Sequence, residues 1–468
     1  MKDVFLNKTG TWIKLGIPIL VILISAIIGF FPDTLKIYLA IGSIAVLTGI
    51  SLGKDPGIGF ALLIIASQVI PWGLGTGTNS EINVAMIIII ALTIMWLIKM
   101  IFRIEKFEIF PSKTIPPILI FIFIVVLAFL NGQIQWFSVS PAPIRAQIGG
   151  AALFLLSFFA FLTTAHQLKN FFWLKVMVWL LVFFCLIYMI GFHFIADRVP
   201  SVQTLILTLY TRGATGSVMW VWVASLAFAQ AVFNNKLKGV WRILLLAFIG
   251  LLLYVRITLA AGWTSGWLPA ALSLAVILVI GLPRLILVWI TGGLVGIALS
   301  IQNLIDFILK DNEYSVGTRL AAWEILFKII KVNPILGVGP ANYYWYTPLF
   351  NILGYYLQFN SHNNYIDIAA QTGILGLICF FWFFIMAAWV AWKIKDRMPE
   401  GFYYAYVLGC LGGIAGTLVA GFFGDWVIPF TYNIGFTGFR SSMLVWIFLG
   451  ALVAIENVVQ KNRMDLLK

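Results

Sequence analysis

Residues 358–377 read QFNSHNNYIDIAAQTGILGL. His362, one of 3 histidines in the chain, stands there among Asn360, Ser361, Asn363 and Asn364, directly before an apolar run that continues to Trp392. A run of that length exceeds the ~20 residues that cross a ~30 Å hydrocarbon core. Reading it as a membrane span makes the amide cluster a boundary, and the question becomes which side of the membrane His362 faces.

The rest of the chain agrees with a span. Hydrophobic residues make up 62% of its 468 residues, charged residues 10%, and mean hydropathy is +1.02, whereas soluble proteins carry about 25% charged residues. So much apolar surface cannot be hidden in one aqueous core, and in lipid every backbone polar group must find a partner within the protein. The expected fold is an all-α polytopic membrane protein, a single integral membrane domain over 1–468 with about 12–14 transmembrane helices. Spans are expected near 12–31, 35–53, 57–73, 82–102, 114–131, 147–165, 171–193, 215–233, 240–258, 266–282, 284–303, 363–392, 401–424 and 440–458. The short ones at 57–73 and 266–282 are also compatible with re-entrant segments. The polar start MKDVFLNKTG leads into an apolar run without a small-residue cleavage signature, so the first run reads as a retained span. Cys185, Cys379 and Cys410 all lie inside apolar runs, which argues against a disulfide framework or a cysteine metal site.

The net charge of +13 is a topology signal and not a sign of nucleic acid, because cytoplasmic loops of membrane proteins concentrate Lys and Arg. An even number of spans puts both termini on one side. With that side cytoplasmic, the basic residues fall about two to one in favour of the inside, among them Lys99, Arg103, Lys106, Lys236, Lys238, Arg242, Lys393, Lys395 and Arg397. His362 is then outside, as is one large extracytoplasmic loop over 304–362. Connections longer than about 12–15 residues carry function or disorder, and this one is too aromatic for disorder: Tyr314, Trp323, Tyr343, Tyr344, Trp345, Tyr346, Tyr355 and Tyr356. Apolar residues at Leu320, Trp323, Phe327 and Ile330 predict an amphipathic helix near 318–332. Pro334 ends it, and LGVGP makes a turn.

Metal-dependent transfer needs clustered hard oxygen ligands. The one close acidic pair of the outer loops, Asp311 and Glu313, has Lys310 beside it and no third ligand in view, so neither a metal nor another cofactor is expected. Arginine fits better, since its planar fork grips phosphate oxygens bidentately and stays charged. Arg212, in LYTRGATGSVMW, and Arg319, in SVGTRLAAWE, stand at outer boundaries, where an arginine faces a polar cavity or ligand, or else snorkels to the headgroups. His362 titrates near neutrality, suited to moving a proton, or it serves as a helix cap, a duty that Ser361, Asn363 or Asn364 can equally fill.

At these residues the chain resembles a known family. The string GTRLAAWEILFKIIKVNPILGVGPANYYW, followed by SHNNYIDIAAQTGILGL, is similar to the signature of the O-antigen ligase and O-antigen polymerase superfamily. Arg319, Trp323, Pro334, Gly337, Gly339, His362, Asn363 or Asn364, Tyr365, Gly373 and Gly376 match it in order. The resemblance implies a C-type glycosyltransferase-like bundle that moves a glycan from undecaprenyl diphosphate to an acceptor hydroxyl, with inversion and without metal, at the outer face of the bacterial inner membrane. The donor lipid, a glycan or lipid acceptor and the bilayer are its implied partners. By the same resemblance, Arg319 and an earlier arginine matched by Arg212 hold the diphosphate, and His362 is base or positioner at the acceptor, with Asn363, Asn364, Tyr365 and Tyr343 beside the sugars. Where many members carry Ser-Arg-Gly after the ninth span, this chain has Thr264-Ser265-Gly266, and Arg256, one helix earlier, is the expected substitute. The rival reading is a lipid-linked glycan flippase or exporter, which calls for charged residues lining the middle of the bundle. Here the polar residues gather on one face.

Overall fold

The computed structural model of the protein describes residues 55–76, 81–102, 109–196, 198–210, 213–259, 263–288, 291–292 and 313–461. The described chain is helical throughout, apart from one short hairpin that pairs β1 (Gly73–Gly75) with β2 (Glu81–Asn83). Its helices are α1 (Gly57–Val69), α2 (Val84–Ile101), α3 (Ile115–Asn131), α4 (Ile144–Gln167), α5 (Phe172–Ile190), α6 (Pro200–Leu209), α7 (Ser217–Phe233), α8 (Gly239–Tyr254) and α9 (Thr264–Gly281). After the gap come α10 (Glu313–Ile330), α11 (Tyr343–Tyr346), α12 (Asn364–Lys395), α13 (Phe402–Phe423) and α14 (Gly435–Gln460). Among the described residues, 8 helices are long and apolar enough to cross a bilayer, as the composition requires.

The expected spans from 82–102 to 240–258, and those at 266–282, 363–392, 401–424 and 440–458, each coincide with one of these helices. Those near 12–31 and 35–53, and most of that near 284–303, lie outside the described residues. Helix α1 has 13 residues, all buried, about 20 Å at 1.5 Å per residue, too short to span alone. The bundle centres on α14, whose span is 94% buried. Trp446 fills its middle, with the Phe158 ring 5.4 Å and the Phe383 ring 5.3 Å away. Apolar residues on the outer flanks stay exposed, including Phe123, Ile187, Ile243 and Ile385, as lipid-facing residues do.

The loop helix α10 covers the expected 318–332 but starts at Glu313, and its buried face differs from the expected stripe. Ala322, Ile325, Leu326 and Ile329 are buried, whereas Leu320 is 56% and Phe327 51% exposed. Over 320–330 apolar residues occupy both faces of the helix, so spacing alone did not distinguish the buried one.

The feature that fixes the site is a break in α12. Gly373 has φ +68 and ψ −172, outside helical space, a conformation open to glycine and strained for other residues. The turn after α10 docks its backbone into the break. Ile374 N–H donates to Pro334 O at 2.8 Å, Leu375 N–H to Ile335 O at 3.4 Å, and Val338 N–H to Ala370 O at 2.9 Å. Groups orphaned by the interrupted helix are thereby satisfied by the loop. A Cβ on Gly373 would collide with the Ile335 carbonyl, and one on Gly337 (φ +68) would lie 2.6 Å from Ala370 O. Gly373→Ala is expected to cost several kcal/mol, combining the ~1–2 kcal/mol conformational penalty with a backbone clash, and to abolish a monodisperse peak in detergent. Gly354→Ala, also at positive φ (+91) but in open space, costs only about 1–2 kcal/mol and keeps that peak. Equal behaviour of the two variants contradicts the docking.

Candidate functional site

Two clusters lie at the end of the bundle where α12 begins. The first is the turn carrying His362. Its backbone has φ +49, and its neighbours are clamped on both sides. Trp323 Nε1 donates to Ser361 O at 2.8 Å, and Asn363 N–H donates to Ser361 Oγ at 2.9 Å. The cap of α12 is Asn363, whose side chain accepts from Tyr365 N–H at 2.9 Å and Ile366 N–H at 3.4 Å. Capping therefore falls to Asn363 and leaves the imidazole of His362 free of that duty. His362 is exposed, while Ser361, Asn363 and Asn364 are buried.

Arg319 reaches this turn by helical geometry. It lies one turn before Trp323 on α10, and residues four apart share a face. Trp323 is anchored to the carbonyl preceding His362, which holds the half-buried Arg319 close to the imidazole. Desolvation of the ring, ahead of the positive charge of Arg319, pushes the His362 pKa below its ordinary 6.5. The imidazole is thus largely neutral at neutral pH and able to accept a proton.

The second cluster surrounds Arg256. Helix α8 ends in a π-helical turn, Val255–Leu259, a distortion common at functional sites, and it turns Arg256 inward. The guanidinium carbon lies 4.7 Å from the Trp220 ring centroid and 4.6 Å from that of Trp263. The residue is only 4% exposed, and its Nε and Nη2 have no hydrogen-bond partner among the described residues. A buried unpaired donor is expensive, and stacking between two indoles compensates for part of the lost hydration. A Cβ on Gly266 would strike Arg256 Nη2, so the guanidinium rests on the Thr264-Ser265-Gly266 stretch that lacks its own arginine. Trp263 packs 5.5 Å from Trp426, whose buried Nε1 is a second unpaired donor. The loop from Trp426 also touches the histidine turn, since Asn364 Oδ1 accepts Val427 N–H at 2.7 Å and its Nδ2 donates to Ile428 O at 2.7 Å. That loop is itself shaped by buried Asp425, which accepts Phe430 N–H at 2.7 Å and the Asn433 amide at 2.5 Å. Burial pushes the Asp425 carboxyl up to about 6, against those hydrogen bonds.

The structure thus brings His362 and Arg319 together and sets Arg256 on the far side of the 424–430 loop. Arg212 lies outside the described residues. The four expected sugar contacts are placed differently from the expectation. Tyr343 is 0% exposed, stacked 4.5 Å from Phe430. Asn363 is the helix cap, Asn364 is spent on the 427–428 backbone, and the Tyr365 hydroxyl donates to Leu418 O. The Asn363 Oδ1, the Asn364 amide and the Tyr343 and Tyr365 hydroxyls all bond within the protein. Asp367, Trp220, Trp263 and Trp426 were missed in the sequence. A tryptophan on either side of Arg256 was the available signal for the cage, since paired indoles around a lone arginine suit cation–π stacking.

Removing the Arg319 charge relieves one of the two effects on the histidine, so Arg319→Gln is expected to raise the His362 titration midpoint. NMR of protein with selectively labelled histidines reads it directly. A midpoint that stays put or falls contradicts the proximity of the two residues.

Compared with proteins of curated function, the chain matches none. Residues 242–381, under a third of the chain, match the family model described as O-antigen ligase. The matched segment holds Arg256, the docked turn, Arg319, His362 and the Gly373 break, whereas Trp220 and the 424–430 loop lie outside it. Over that segment the chain is similar to the O-antigen ligase family.

Proposed function

We propose that this protein is an inverting membrane glycosyltransferase that moves a glycan from undecaprenyl diphosphate to an acceptor hydroxyl, as a polymerase or ligase of envelope polysaccharide or lipopolysaccharide. The observation that carries the reading is Arg256, a buried guanidinium whose Nε and Nη2 have no hydrogen-bond partner among the described residues, stacked on Trp263, which packs against Trp426. Donors held in a desolvated setting suit an anion whose charge grows as the glycosidic bond breaks. Arg319 and Arg212 complete the diphosphate set in this account, and His362 takes the proton of the attacking hydroxyl. The fixed guanidinium groups carry the charge that a divalent cation neutralises in other transferases, so the reaction proceeds without metal. The hydroxyl attacks the anomeric carbon opposite the diphosphate, and configuration inverts. Asn363, Asn364, Tyr365 and Tyr343 shape the acceptor side by holding the His362 turn, through the bonds that Asn363 Oδ1, the Asn364 amide and the two tyrosine hydroxyls make within the protein. A flippase or exporter needs no such proton acceptor.

The site works on the outer face of the inner membrane, with both termini cytoplasmic and the 304–362 loop outside. Support comes from the basic bias of Lys236, Lys238, Lys393 and Lys395 at the opposite helix ends from His362. A cysteine placed at Asn351 is expected to react with an impermeant reagent added outside intact spheroplasts, and one at Lys236 to be protected. The reverse pattern overturns the orientation.

Transfer from a synthetic undecaprenyl-diphosphate glycan, assayed in excess chelator, separates the roles. Arg319→Lys and Arg256→Lys are expected to lose donor binding, because an ammonium cannot reproduce a two-pronged contact. His362→Ala binds donor and loses about 10²–10⁴ in rate, the usual share of a positioned acid or base. A well-folded His362→Ala variant with full activity refutes the assignment, and activity that needs added magnesium or manganese refutes metal independence.

A further inference from the structure

Beneath the His362 turn lies a carboxylate that transfer chemistry alone does not require. Asp367, one turn into α12, is 2% exposed. Its Oδ1 accepts from the Tyr343 hydroxyl at 2.5 Å and from Ser361 Oγ at 2.7 Å. The Tyr343 oxygen also accepts Ser361 N–H at 3.4 Å. Ser361 Oγ accepts Asn363 N–H and lies 2.8 Å from Asn363 O, so its single proton is shared between that carbonyl and Asp367. Asp367 Oδ2 has no partner among the described residues. Among the described residues, the acid that acts on it electrostatically is Asp425, of like charge.

A buried carboxyl with no cation bonded to it is costly, and a positive-φ histidine adds about 1–2 kcal/mol. The two costs sit in one hydrogen-bonded unit, in which every side-chain hydrogen bond of Asp367 leads to the residue before or after His362. Strain of this kind persists only where the surroundings over-determine it. Tyr343 comes from the loop beyond the docked turn and Asp367 from the helix that the turn breaks, so the unit also ties the two segments across the Gly373 break.

We propose that Asp367 is a positioning residue: its acceptor oxygen fixes Ser361 and Tyr343, and through them holds the His362 imidazole beside Arg319. The role is that of an acceptor and not of a charge, and it rests on the reading of His362 as the group that takes the proton. Asp367→Asn keeps an oxygen at Oδ1 and puts an amide in place of the unpartnered Oδ2, so it is expected to rescue what Asp367→Ala loses. Tyr343→Phe and Ser361→Ala each remove one donor to Asp367 with little change in volume, and they carry the test if Asp367→Ala does not fold.

Two readouts are taken on full-length protein. The first is the His362 signal in the histidine NMR spectrum, which needs no activity; it is expected to shift and broaden in Tyr343→Phe, Ser361→Ala and Asp367→Ala but not in Asp367→Asn. The second is transfer kinetics, where kcat is expected to fall by roughly 10–100-fold, the scale of a small misplacement, with donor KM within about threefold. Asp367→Asn is expected to stay within about threefold of wild type in both parameters. An unchanged His362 signal in Tyr343→Phe and Ser361→Ala overturns the proposal, as does Asp367→Asn impaired as severely as Asp367→Ala. Full activity in His362→Ala, with the NMR shifts still present, instead overturns the catalytic reading and leaves the positioning of the imidazole standing.

Discussion

The docking of the Pro334–Val338 backbone into the break at Gly373 is the interaction on which the rest of the site depends. A helix interrupted inside an apolar bundle exposes N–H and C=O groups, and each such group left unpaired costs several kcal/mol in a hydrocarbon setting. The loop supplies partners for Ile374, Leu375 and Ala370, and in return the helix fixes where the loop goes. Gly132, against Gly339, and the Asn342 amide, which donates to Gly132 O and Val338 O at 2.8 Å each, extend the seal to the end of α3. Without the break, α12 runs on as a plain span and nothing ties α10 to its beginning.

From that seal the two clusters follow. The docked turn sets the exit of α10, so Trp323 meets the Ser361 carbonyl and Arg319 stands near His362. The same turn delivers Tyr343 to Asp367. On the other side, the 424–430 loop is braced by Asp425 and Asn364 and carries Trp426 toward Trp263 and Arg256. Arg256, by way of Trp263 and Trp426, and His362, by way of its neighbour Asn364, are therefore both linked to one loop. That division suits a reaction in which negative charge leaves from one side while a proton is taken on the other.

Much of this was legible in the sequence, for identifiable reasons. Spans were readable because hydropathy reports the lipid directly, and Pro334 with the LGVGP glycines read as a helix stop and turn because proline and glycine mark backbone that other residues cannot adopt, whereas Gly373 was picked out only by the family resemblance. The sequence offered Arg256, or a different site, in place of the arginine missing from Thr264-Ser265-Gly266; the structure sets the Arg256 guanidinium against Gly266. What stayed hidden depends on pairings far apart in the chain. Tyr343 read as a sugar platform because aromatic residues in a loop usually look outward, yet it is consumed by Asp367, 24 residues away. Asn364 meets a backbone 63 residues on, and Trp426 meets Trp263 across the bundle. Periodicity carries no information about such contacts, and on α10, where both faces are apolar, it misassigned Leu320 and Phe327.

The central claim is that charge leaves as a lipid diphosphate from a site where the attacking hydroxyl gives up its proton. Its most direct measurement is a single turnover of purified, reconstituted protein with a defined undecaprenyl-diphosphate glycan, following the released lipid and the anomeric configuration of the new bond together. The account predicts one undecaprenyl diphosphate freed per glycan transferred, with the configuration inverted. Retained configuration, or intact donor carried across the bilayer with no lipid diphosphate released, contradicts it.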